Sequence, residues 1–103
     1  MAISFTKSII SRLNRELADI QSQSTNEKNK KEKALAKINQ LQRDIKLSSS
    51  PSDLSSKMSR INKLNEEIKT INRVQADLSK QFVTKTAALK QQLAKDKPSN
   101  HIE

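Results

Sequence analysis

Apolar residues recur along the first half of this chain in alternating steps of three and four. From Ile10 the series runs through Leu13, Leu17, Ile20, Ser24, Glu27, Lys31, Ala34, Ile38, Leu41 and Ile45. The step never slips, so these positions form one stripe of a helix with a seven-residue repeat. The middle of the stripe is polar, because Gln21 to Lys33 contains no apolar residue. The apolar stretches on either side stay in phase, and neither Pro nor Gly interrupts them. One continuous helix is therefore expected rather than two joined by a linker.

A second stripe carries Leu54, Ile61, Leu64, Ile68, Ile71, Gln75, Leu78, Phe82 and Leu89, with Lys57, Lys85 and Gln92 at the remaining positions of its register. Met58, Val74 and Leu93 widen it. The pattern fades toward Pro98, which cannot continue a helix and disfavours one at Lys97.

Between the stripes stands "SSSPSD", residues 48–53. Ser50 suits a helix N-cap, Pro51 suits the first helical position, and Asp53 falls three residues after the cap, where the helix dipole favours an acid. Ser48 and Ser49 supply a short polar loop. The expected fold is all-α, a long antiparallel two-helix hairpin of coiled-coil type, with helix 2–47, turn 48–50, helix 51–97, and a tail or linker start at 98–103. Folding back places Ile45 near Leu54, Ile38 near Ile61, Ser24 near Gln75, Leu17 near Phe82 and Ile10 near Leu89.

Composition sharpens this picture. The 103 residues include no glycine, and only 2% are aromatic. A chain that never calls on glycine for a left-handed backbone has few tight turns, which argues against hairpin-rich sheets. Apolar residues reach only 33%, and two helices have a single line of contact. Self-association into a four-helix or larger assembly is expected. Ile3, Phe5, Ile9, Val74, Phe82, Val83 and Leu93 are the candidate contact residues, because one partner helix cannot cover so many faces.

The net charge is +9, with ten basic and five acidic residues in 1–47 and ten and six in 48–103. Such an excess suits a solvated lysine-rich surface, and also nucleic acid or an anionic membrane surface. The run "KNKKEK" offers Lys28, Lys30, Lys31 and Lys33 as an anion contact. It lacks arginine and has no stacking aromatics beside it, which weakens a single-strand-binding reading. The absence of cysteine rules out disulfides and thiolate chemistry, in keeping with a cytoplasmic setting. No long apolar run spans a membrane, and the N-terminus lacks the pattern of a secretory signal. No phosphate loop or nucleophile motif is present, and the single histidine, His101, cannot build a metal site alone. A non-enzyme without cofactor or metal is expected.

The stretch from Ala34 to Leu93 resembles the N-terminal coiled-coil region of bacterial Toll/interleukin receptor (TIR) domain proteins. The resemblance rests on the lysine-rich helix with its isoleucine heptads, the serine-rich turn with proline, Ser56-Lys57 leading to Ile61, and "VQADLSKQ" from Val74 to Gln81; "SRLNRELADIQ" from Ser11 resembles the start of that region. It implies an assembly or regulatory module for a fused or separate effector domain, which in that family cleaves NAD with a catalytic glutamate, often in antiphage defence. The glutamates here match no such catalytic motif, so no activity carries over. The expectation is an excised N-terminal module or a small free-standing relative. A small self-assembling filament subunit, of the kind found in type III secretion needles, is a variant of the same scaffold reading.

Overall fold

The computed structural model describes residues 2–95, with side chains from Phe5 onward. It contains two helices, α1 (Ala2–Leu47) and α2 (Pro51–Lys95), and no strand among the described residues. Together they form the expected helical hairpin. Residues 96 and 97, assigned to the second helix from sequence, and the tail 98–103 with His101 lie outside the described residues.

The hairpin divides into two compact units. A terminal unit joins Met1–Ser24 to Asp77–Glu103, and a turn unit comprises Thr25–Ala76. In the terminal unit the core is Leu13, Ile20 and Leu78, flanked by half-buried Ile10, Leu17, Phe82 and Leu89. In the turn unit it is Ala34, Ile38, Leu41 and Ile71, flanked by half-buried Ile45, Leu54, Ile61, Leu64 and Ile68. Every position of the two heptad stripes is buried or half-buried, the polar ones included: Ser24, Glu27 and Lys31 in α1, and Lys57, Gln75, Lys85 and Gln92 in α2. The period of 3.5 thus decides which side chains face inward. α1 runs unbroken through its polar middle.

Local chemistry sets the reversal. The Ser50 Oγ accepts a hydrogen bond from the Asp53 backbone N–H at 3.3 Å, and the Ser50 carbonyl accepts the first helical bond from Leu54 N–H at 3.0 Å. Ser50 is therefore the N-cap, with Pro51 directly after it. At the end of α1 the Ser48 N–H returns to the Ile45 carbonyl at 3.2 Å. No described residue has positive φ, so three serines turn the chain without a left-handed position and no glycine is required.

Asp53 also pairs with Lys57 one turn on, the order of charges that helices favour. The hydrogen bond from Lys57 holds the Asp53 carboxyl below its usual value of 3.8; a hydrogen bond from Ser48 and the Lys57 charge add to the effect, and desolvation opposes it. A carboxyl whose folded pKa is depressed stabilises the fold fully above its unfolded pKa, and that contribution is lost as pH falls through the folded value. Two outcomes are expected. Ser50→Ala costs about 1 kcal/mol, seen as a lower denaturant midpoint. Asp53→Asn flattens the acid side of the stability profile below about pH 4; a profile identical to that of the wild type would mean that the Asp53 carboxylate adds nothing to stability.

Candidate interaction surfaces

Rotation along α2 explains which apolar groups are left over. Phe82 occupies a stripe position and is half-buried, whereas Val83, about 100° further round the helix, is 66% exposed. In the same terminal unit Phe5 is 69% exposed and Leu93 is exposed, while Ile9 is half-buried. The side chain of Ile3 lies outside the described residues. Val74 is exposed but belongs to the turn unit. Of the residues singled out for self-association, the terminal unit thus contains Phe5, Ile9, Phe82, Val83 and Leu93. The turn unit has exposed apolar groups of its own in Leu35, Leu47 and Met58, which lie off the heptad stripe.

Along one side of the turn unit the two helices leave a groove of about 930 Å³. Ala34, Leu64 and Ile71 contribute to its lining, with the small side chain of Ala34 at a stripe position. Glu27, Lys30, Lys33 and Lys37 line it from α1; Lys63, Glu66 and Glu67 line it from α2. The ion pairs here run along each helix. Lys30 Nζ meets Glu27 Oε2 at 3.0 Å, and Lys69 Nζ meets Glu66 Oε1 at 3.3 Å. Among the described residues no ion pair spans the groove.

The basic run is split by this arrangement. Lys30 and Lys33 reach the groove. Lys31 occupies a stripe position and is half-buried, and Lys28 is exposed and does not line the groove. Lys37 and Lys63, not singled out from the sequence, share the groove with Lys30 and Lys33. Finding them requires knowing which residues of α2 lie across from Ala34.

A second contact missed in the sequence crosses between the helices of the terminal unit. Lys85 Nζ donates to Glu16 Oε1 at 3.1 Å, and Arg12 Nε lies 4.0 Å from the other oxygen of the same carboxylate. Lys85 occupies a stripe position, so its methylene stem packs inward while its ammonium reaches the half-buried carboxylate. The pairing of Leu17 with Phe82 and of Ile10 with Leu89 expected from the heptads brackets this contact, and a lysine on an apolar stripe is the signal for it. Asp77 accepts a hydrogen bond from Gln81 Nε2 of its own helix at 2.7 Å, and Asp19 is exposed.

Among the described residues no cluster of three or more His, Cys, Asp or Glu is placed to hold a metal ion, and no described helix is long and apolar enough to cross a membrane. The chain matches no protein-family model, no curated protein and no solved structure.

Proposed function

We propose that this hairpin is a non-catalytic coiled-coil scaffold that assembles through contacts between copies of itself. The observation that carries this reading is the thinness of its interior. Among the described residues the buried set is Leu13, Ile20, Ala34, Ile38, Leu41, Ile71 and Leu78, and no side chain is fully buried. Two helices offer each other one stripe, whereas large apolar groups such as Phe5 and Val83 remain in water. A further layer of helices covers such groups and gives the interior a centre. By its resemblance to the coiled coils of bacterial TIR-domain proteins, the scaffold would gather or restrain a fused or separate effector domain, in defence and in the cytoplasm.

Sedimentation at tens of micromolar tests this reading. The wild type is expected to exceed the single-chain mass of 11.7 kDa. Phe5→Asp combined with Val83→Asp is expected to shift it to the monomer with helicity retained, because both side chains lie outside the stripe. Phe82 is less suitable, since an aspartate there also strips the core. A stably helical wild-type monomer would overturn the scaffold. A basic anion-binding module is the rival reading. It predicts tight binding to duplex DNA that falls steeply with salt through counterion release.

A further inference from the structure

We infer that the groove of the turn unit is a docking site for an acidic amphipathic helix from a different protein. Charge left unsatisfied beside an apolar floor is what points to this partner. Glu27 neutralises Lys30, and Lys69 neutralises Glu66. Among the described residues Lys33, Lys37 and Lys63 form no ion pair, and all three line the groove. Glu67 is the one groove carboxylate that takes part in neither pair. The lining carries four lysines and three glutamates; with the Glu27–Lys30 pair and the Glu66 carboxylate held by Lys69 from outside the lining set aside, three lysines and one glutamate remain.

Between the lips, Ala34, Leu64 and Ile71 form a floor shaped by the small alanine. A helix laid there would bury an apolar ridge in the notch and set carboxylates against Lys33, Lys37 and Lys63, the helix-in-groove mode of recognition. Glu67 is a built-in discriminator: a partner with a cation opposite it binds in one direction only, because the reverse orientation places like charges together. A second copy of this chain suits the groove poorly, since it brings a net +9 to a surface that already has unpaired lysines. The site is separate from the self-association contacts proposed for Phe5 and Val83, and it stands or falls independently of them.

The test uses the full chain and fluorescent peptide probes in anisotropy titrations at physiological salt. The first probe is a three-heptad helix with a leucine ridge and glutamates on its remaining faces. A second keeps every glutamate but replaces the leucines with serine, a third exchanges glutamate for lysine, and a short DNA duplex is the fourth. The leucine–glutamate probe is expected to bind, the other two peptides much more weakly. Lys33→Glu with Lys37→Glu and Lys63→Glu should weaken that binding at least about tenfold, and Glu67→Lys should strengthen it severalfold. Circular dichroism of each variant verifies the hairpin, and Glu67→Lys, a gain of binding, cannot arise from misfolding. Equal binding of the leucine and serine probes would overturn the proposal, because the groove would then be a site for any polyanion. DNA binding more tightly than the peptide and losing more in the triple lysine variant would overturn it in the same direction. A change of oligomeric state in the lysine variants without loss of peptide binding would assign the groove to a second copy instead.

Discussion

Replacing Leu78 by alanine is expected to destabilise the hairpin by about 3 kcal/mol, within the range for deleting a buried leucine side chain. Leu78 is 4% exposed, as deeply buried as any described residue. For a chain of this size, such a loss lowers the thermal midpoint by more than about 10 °C, which circular dichroism at 222 nm will show. Val74→Ala is the matched control, because Val74 is exposed and off the stripe. It should shift the midpoint by only a few degrees. A Leu78 variant that unfolds with the wild type would mean that the heptad stripe does not hold the helices together.

Glu27→Leu combined with Lys31→Leu should act in the opposite direction, raising stability by about 1–3 kcal/mol. Both residues occupy stripe positions of α1 in the turn unit and are half-buried. Glu27 shows only 15% of its side chain to solvent and keeps one ion pair, with Lys30. Holding charges on the stripe costs desolvation that a neighbouring lysine on the surface offsets only in part. Leucine at both positions makes the apolar stripe continuous. Polar groups at such positions restrict register and partner choice, so the leucine variant should also associate less selectively, giving broader mass distributions in sedimentation. The denaturant midpoint checks the first effect. A midpoint at or below that of the wild type would show instead that Glu27 and Lys31 stabilise the hairpin.

The fold was legible in this sequence because one physical signal repeats many times. From Ile10 to Ile45 and from Leu54 to Gln92 the same seven-residue spacing recurs, and each recurrence tests the one before. The cap was legible for a different reason: Ser50, Pro51 and Asp53 combine three independent preferences at one helix start. The interaction surfaces were only partly legible. Exposure of Val83 and Leu93 followed from their positions off the stripe. The groove did not, because it depends on a small residue in α1, Ala34, lying opposite particular residues of α2. Sequence adjacency grouped Lys28 and Lys31 with Lys30 and Lys33, whereas helical rotation sends the first two elsewhere and brings in Lys37 and Lys63. Adjacency along the chain is a poor guide to a surface made by two helices.

The serine turn has a consequence for how the molecule comes to be folded. In a hairpin, contacts close to the reversal join residues a few positions apart, and contacts farther away join residues nearly a full chain length apart. The entropy lost on closing a loop rises with its length, so Ile45 and Leu54 can meet long before Ile10 and Leu89 would meet unaided. Once the Ser50 cap and the first heptads beside it are in place, each further pair closes only a short additional loop. Folding is therefore expected to start at the turn. Closing Ile10 on Leu89 directly would cost more entropy than closing Ile45 on Leu54, so hydrogen exchange is expected to show stronger protection beside the serine turn than around Ile10 and Leu89.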